Sequence, residues 1–351
     1  MTSDWTLHRA PAASAHSLIG FKMNGIKKLT AILAFATTLT MQTRAFAVEW
    51  DFASANAPGN YQTKLDEKFA AEVAAATSNE VKITVHAGGQ LGFKGPEMLG
   101  VIRDGLVPTG TFMFSQQVGI SPVLGAGALP YLVSGFNEMK VFWTIARPVF
   151  NAEFAKFNQK LLVTIPWPGQ NVFAKTELSS PDTFKSMKIR TTDRNGSDYF
   201  RTLGASPAQI PWGEVVPALS TGVINSVSTS TSSAVDGQFW DFQKVCNVVN
   251  WQSNLDVISV NLDVWNKLSP KNQKAIEAVA ARLEPEFWKA AQAEDARNFE
   301  TLKGRGMEIY SPPAGVRSAM AEKAKPSWTA YEQSVPAAKP LLDQYLKAVG
   351  K

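Results

Sequence analysis

The residues able to carry covalent chemistry are few. The 351-residue chain has one cysteine, Cys246, and three histidines, His8, His16 and His86. A single cysteine forms neither a disulfide nor a thiolate metal cluster within one chain. Cys246 has no histidine near it in sequence and reads as a small packed apolar residue. His8 and His16 fall in a stretch read below as a leader. That leaves His86, at the end of a strand-like run beside Gly88-Gly89, where a structural histidine fits better than a member of a Ser-His-Asp triad or a metal ligand. Gly125-Ala126-Gly127 is only part of a dinucleotide-binding signature, and no phosphate-loop Gly-Lys-Ser/Thr run occurs. Asn195-Gly196-Ser197 matches a glycosylation sequon, a weak signal. No carboxylate pair stands out as an acid–base couple. These residue types point toward non-covalent binding, with no metal and no cofactor expected.

Charge gives a misleading first impression. A net charge of +5 and a pI near 9.1 suggest a polyanionic partner. The positions of the charges remove that reading. From Met23, Lys27 and Lys28 precede an apolar run, Leu29 to Leu39, and then Ala45-Phe46-Ala47. This is the layout of a secretory signal, and its apolar run is too short to span a bilayer. Residues 1–22 have no apolar periodicity and read as an upstream start or an extended leader. Cleavage after Ala47 leaves 304 residues and removes Arg9, Lys22, Lys27, Lys28 and Arg44 against Asp4 alone. The exported chain is then almost neutral, at +1. It has no other apolar run of about 18 residues, so a soluble periplasmic protein with no nucleic-acid partner is expected.

The elements that must position any site alternate between strand and helix. Trp50 to Ala55 reads as a strand and Asn56-Ala57-Pro58-Gly59 as a turn. Leu65, Phe69 and Val73 form a helical stripe; Val81, Ile83 and Val85 alternate as in a half-buried strand. A helix is predicted from Met98 to Ile102, and strands at Leu161 to Ile165, Met187 to Arg190 and Val223 to Val227. Helices are predicted at Ser197 to Leu203, Val215 to Ser220 and across 315–348. Ser269-Pro270 is a strong helix start, with a hydroxyl cap and a first-turn proline. That helix continues through Ile276, Val279, Leu283 and Phe287 toward Gly304, and Pro285 should kink or divide it. About 30 residues would reach about 45 Å, enough to lie across two lobes. The βα order predicts an α/β fold.

In this order and spacing, several fragments resemble one family. They are Lys68-Phe69-Ala70, Gly88-Gly89-Gln90-Leu91-Gly92, Lys188-Ile189-Arg190, Leu203-Gly204-Ala205-Ser206-Pro207, Trp212-Gly213-Glu214-Val215, Ala218 to Val223, and Trp265-Asn266-Lys267-Leu268-Ser269. Over nearly all of 50–345 the chain resembles the DctP-like periplasmic solute-binding proteins of TRAP transporters. The resemblance implies two α/β lobes of the type II, Venus-flytrap kind, joined by crossing strands and braced by a long helix. A ligand would bind in the cleft, and the loaded protein would dock on a membrane permease without catalysis. The expected boundaries are 1–47 for the leader, 48–167 plus 256–295 for the first lobe, and 168–255 plus 296–351 for the second.

The resemblance also implies a site. Arg190 matches the family arginine that fixes a substrate carboxylate, and a planar guanidinium offers a carboxylate two parallel donors. Taken alone, Arg190 would read as a surface or ion-paired residue. Trp212 occupies the place of an aromatic that packs on the ligand; the alternative is a core tryptophan. Where some members carry a second arginine, this chain has Gln170 or Asn171. Where many carry an acidic-glycine-acidic stretch it has Asn225 to Thr231, so hydroxyls near Thr229 either meet a ligand or satisfy loop backbone. Phe112, Phe114, Gln116 and Gln117 lie where the family often lines its cleft, and Trp251 completes the candidates. The expected ligand is an organic monocarboxylate with an apolar or aromatic body. A C4-dicarboxylate, a partnership with a membrane sensor, and a periplasmic hydrolase or isomerase are the rivals.

Overall fold

The computed structural model describes residues 47–351, so the expected leader lies outside the described residues except for Ala47. The chain begins with β1 (Val48–Ser54), α1 (Tyr61–Ala76), β2 (Val81–His86), α2 (Met98–Arg103), β3 (Thr109–Met113), α3 (Gly135–Lys156) and β4 (Gln159–Pro166). It continues with β5 (Asn171–Ala174), β6 (Lys188–Thr191), α4 (Arg194–Thr202), β7 (Ser206–Gln209), α5 (Trp212–Ser220), β8 (Ser226–Thr229), α6 (Thr231–Asp236) and β9 (Val245–Asn247). It ends with β10 (Leu255–Asn261), α7 (Leu262–Trp265), α8 (Pro270–Gly304), β11 (Glu308–Tyr310), α9 (Ala314–Ser334) and α10 (Lys339–Val349).

Two sheets result. The first runs β2-β1-β3-β10-β4 and the second β11-β9-β5-β8-β6-β7. β1 is parallel to β2 and β3, whereas β10 runs antiparallel between β3 and β4. β6 is parallel to β7 and β8, whereas β5 is antiparallel to β8 and β9. Each sheet is apolar on both faces, because successive side chains of a strand alternate between them. Phe112 and Phe114 enter one core of the first lobe and Met113 the other; Val172 and Phe173 divide the same way in the second. The inner strands β3, β10, β5 and β8 are buried on both faces, whereas the edge strands β2 and β7 keep exposed residues.

The chain passes between the lobes at β4–β5, at β9–β10 and along α8. Ser269 caps α8 as expected, its Oγ accepting from Asn272 N at 3.2 Å. The helix is 35 residues long, or roughly 52 Å at 1.5 Å per residue. Pro285 does not divide it. The proline sits on the exposed side, while Leu283, Glu284 and Phe287 on the other side are buried and hold the helix together across the missing N–H. Ile276 to Ala291 pack in the first lobe and Leu302 in the second.

Two expectations need correction. The strand predicted from Val223 begins only at Ser226. Gly222 turns the chain at φ +73°, Val223 is left 63% exposed, and the Asn225 side chain closes the turn by accepting from Lys188 N at 2.8 Å. Residues 296–351 also do not all belong to the second lobe. Val316, Met320 and Ala324 of α9 do, but Tyr331 and the Leu341, Leu342 and Tyr345 stripe of α10 pack in the first-lobe core, where Tyr345 meets Phe142 edge-on at 5.3 Å. The chain therefore crosses a fourth time, within α9. Among the described residues no helix is long and apolar enough to cross a membrane.

Candidate functional site

In each sheet the parallel strands end facing the other lobe. In sheet one the chain goes from β1 to β2 on one side and β3 on the other; in sheet two it goes from β6 to β7 and then to β8 on the opposite side. Such switch points leave a crevice outside the carboxyl ends of the strands. Asn56 follows the end of β1, Met113 ends β3, Arg190 is next to last in β6 and Thr229 ends β8; all four border one interlobe cavity. The two crossing segments run beside it, bonded Trp167 N to Asn254 O at 2.9 Å, Gln170 N to Gln252 O at 3.0 Å and Trp251 N to Gln170 O at 3.1 Å.

The second lobe contributes Gln170, Arg190, Thr192, Trp212, Thr229, Ser230, Ser233 and Asp236 to this cavity. Arg190 is 2% exposed. Its Nε donates to Ile210 O at 2.9 Å, and Nη1 donates to Thr192 Oγ1 at 3.0 Å and Ser228 O at 3.4 Å. Nη2 has no partner and the guanidinium no ion pair among the described residues. Burial pulls its pKa down to about 10, with the nearby Asp193 acting in the opposite sense. The group thus stays cationic near neutrality, held rigidly by neutral acceptors, with donors to spare. An unpaired buried charge is costly, and an anion arriving in the cavity offsets that cost.

Trp212 opens α5 and packs tilted against Phe239, ring centroids 6.2 Å apart. Gly237 permits this: a Cβ there would lie 2.5 Å from Phe239 Cε1 and 3.3 Å from Trp212 Cη2. Gln170 is buried; its Oε1 has no hydrogen-bond partner, and its Nε2 faces Pro168 O at 3.5 Å. Asp236 ends α6. Its Oδ2 accepts from Asn60 Nδ2, which also donates to Ser232 Oγ at 3.3 Å. Burial raises the Asp236 pKa to about 6 against the Asn60 hydrogen bond; Glu294 pushes the same way as burial and Lys64 the other.

The first lobe supplies Asn56, Ala57, Asn60, Met113, Gln116 and Trp167. Asn60 is fixed because its Oδ1 caps α1, accepting from Gln62 N at 2.7 Å. A single buried carboxylate, Asp256, orients two of these side chains. Trp167 Nε1 donates to Oδ1 at 2.7 Å and Asn56 Nδ2 donates to Oδ2 at 3.1 Å. Burial raises the Asp256 pKa to about 6 against both bonds. Gln116 lies over Gly95, where a Cβ would come within 2.1 Å of its Oε1. About 50 Å³ of the cavity admits the centre of a water molecule. One water needs about 10–15 Å³ on that measure, so a compact ligand fits.

Five sequence candidates thus come together around the cavity: Arg190, Trp212, Gln170, Thr229 and Gln116. Four do not. Phe112 stacks on Phe154 at 6.0 Å, and Phe114 packs on Phe150 at 4.9 Å, both in the core. Alternation puts the residue between them, Met113, at the cavity. Asn171 is buried beneath the crossing, its Oδ1 accepting from Val249 N at 3.0 Å and Asn250 N at 3.1 Å. Trp251 lies behind β8, stacked on Tyr199 at 5.3 Å with its Nε1 donating to Ser228 Oγ at 2.8 Å. Gln117 is likewise tied to backbone, donating to Gly95 O at 2.9 Å and accepting from Leu99 N at 3.2 Å. Asn56, Asn60, Met113, Trp167, Thr192, Ser233 and Asp236 were not anticipated, whereas Ser230 is one of the hydroxyls near Thr229 that were. The turn before α1 was a signal for the two asparagines; nothing in the sequence marked Asp236.

Away from the cavity, His86 Nε2 pairs with Asp51 Oδ1 at 2.8 Å. Cys246 is buried in the second-lobe core, which pushes its thiol pKa up.

Comparison with known proteins places this geometry. The sequence profile of the bacterial extracellular solute-binding proteins, family 7, matches residues 52–334. The ectoine-binding periplasmic protein TeaA of Halomonas elongata is 24% identical over 267 residues, which is 74% of this chain and 76% of that protein. DctP7, an extracytoplasmic solute receptor of Bordetella pertussis binding pyroglutamic acid, has 26% identity and a TM-score of 0.82, covering 85% of this chain and 99% of its own. A TRAP solute-binding protein from a marine metagenome, specific for pyroglutamate, also has 26% identity and a TM-score of 0.82, covering 86% and 99%. With a matching profile over most of its length and two lobes meeting at a cleft, the chain belongs to the family 7 bacterial extracellular solute-binding proteins, the solute-binding components of TRAP transporters.

Proposed function

We propose that the protein is exported through its leader, captures a small organic monocarboxylate between its lobes and delivers it to a TRAP membrane permease. The observation that carries this reading is Arg190: buried, without an ion pair, and with Nη2 unused at the cavity. Among the described lining residues it is the one cation, and Asp236 is the one carboxylate. One guanidinium neutralises one carboxylate, while a second carboxylate would meet Asp236 rather than a partner, which disfavours C4-dicarboxylates. Trp212, Met113 and Trp167 give the body of the ligand apolar walls. The ligands named for two relatives, ectoine and pyroglutamic acid, are both small ring-based carboxylic acids. Those relatives are binding proteins, which supports release of the bound acid unchanged. A thermal-shift screen of mono- and dicarboxylic acids tests the proposal. Stabilisation by compact monocarboxylates is the expected result, and a preference for dicarboxylates overturns the monocarboxylate assignment.

A further inference from the structure

Arg190 accounts for a carboxylate, yet the cavity wall has further unfilled capacity of the opposite kind. Gln170 Oε1 is buried beside it and accepts no hydrogen bond among the described residues. A flipped amide would not cure this, because it would set oxygen against Pro168 O, now 3.5 Å from Nε2. Asp236 borders the same cavity, and only its Oδ2 is engaged, by Asn60 Nδ2. Asn60 cannot turn away to serve a ligand without giving up the cap of α1. The pocket therefore presents an unused donor group and two unused acceptors. A ligand with nothing but a carboxylate and hydrocarbon would leave those acceptors unpaired, and a buried acceptor without a partner costs binding free energy.

Resting on the monocarboxylate reading above, we propose that Gln170 and Asp236 select acids that also carry a hydrogen-bond donor, an N–H or an O–H, on the body of the molecule. Arg190 then decides that the ligand is an acid, and the acceptor pair decides which acids are retained. Selection of this kind is strong because it works by rejection. An analogue of the same outline but without the donor must dry both acceptors and give them nothing.

Four probes of matched size separate the possibilities: the lactam acid pyroglutamate, the corresponding lactone acid, cyclopentanecarboxylate, and a hydroxycyclopentanecarboxylate. Calorimetry on the full mature chain should find the lactam or the hydroxy acid bound roughly tenfold or more tightly than the two donorless acids. Whichever of the two binds more tightly identifies N–H or O–H as the donor. Asp236→Ala should shrink that ratio to about threefold or less, chiefly by weakening the donor-bearing acid. Gln170→Leu should do the same, and it keeps the inference testable if Asp236→Ala does not fold. Equal binding of all four acids, or a ratio unchanged in both variants, overturns the donor inference and leaves the Arg190 reading standing. If none of the acids binds the parent protein, the Arg190 reading fails with it.

Discussion

The second-lobe wall of the cleft holds its polar groups on secondary-structure ends, whereas the first-lobe wall is mostly shape. Arg190 and Thr229 come from the ends of β6 and β8, and Trp212, Ser230 and Ser233 from the starts of α5 and α6. Opposite them stand Ala57, Met113 and the Trp167 indole, with Gln116 over Gly95 and with Asn56 and Asn60 tied to Asp256 and to Asp236 and Ser232. Two backbone carbonyls and a threonine hydroxyl fix the arginine; a carboxylate fixes the tryptophan. The contrast teaches that the second lobe recognises and the first encloses, so damage to the two walls should be distinguishable.

The largest effect is expected from Arg190→Ala, which should weaken the best acid roughly 100-fold or more in calorimetry. Arg190→Lys should restore part of that, since an ammonium gives charge without the planar fork. Full affinity in the alanine variant would remove the second lobe's claim to recognition. Next comes Trp212→Ala. Loss of about 50 Å² of apolar contact at about 25 cal/mol per Å² is about 1.3 kcal/mol, or about tenfold in affinity. On the other wall, Trp167→Phe keeps a ring but leaves Asp256 Oδ1 without its N–H donor. The expected result is a lower melting temperature with the ranking of ligands unchanged; an altered ranking would show that the first lobe also recognises.

The pH response is a smaller effect. Asp236 and Asp256 both have native pKa values raised to about 6, above the unfolded carboxylate value of about 3.9. Between about pH 4 and pH 6 the folded state therefore binds protons that the unfolded state does not, and stability falls as pH rises through that window. The ligand-free protein should melt higher at pH 5 than at pH 7.5, and Asp256→Asn should flatten the difference. A melting temperature that rises with pH over this range would contradict the assignment. The smallest change is expected at the exposed interlobe pair Lys94–Glu214, 2.6 Å apart. Lys94→Ala should shift ligand affinity less than about threefold; a larger loss would mean that closure depends on surface charge rather than on the two walls.

Two of the residues that sequence reasoning placed at the cleft, Arg190 and Trp212, lie in motifs that also fix the backbone around them. Arg190 is next to last in a strand followed by a helix cap, and Trp212 follows a proline at a helix start, so each had one available position. Phe112 and Phe114 were misplaced by one step of the strand alternation, which spacing alone cannot phase without knowing which face is core. Asn171 and Trp251 are near the site in sequence but brace the crossing segments instead, a use that residue type does not reveal. Asp236 was invisible because its partner, Asn60, is 176 positions away and its helix is only six residues long. The long helix was legible from Ser269-Pro270, but the fourth crossing depends on where an apolar stripe finds its match, which local pattern does not specify.

The position of β10 governs the order in which the molecule can assemble. It is an interior strand of the first sheet, between β3 and β4, yet it is the last strand of that sheet to leave the ribosome. Until residue 261 is available, the facing edges of β3 and β4 have no partner. The second lobe, apart from β11, can pair its strands from 171–247 alone. The sheet that begins the chain therefore waits for a strand made after five of the six strands of the other sheet, and it carries the long-range pairings that make β folding slow. That leaves the β3 and β4 edges without their shared partner while residues 167–254 are being made.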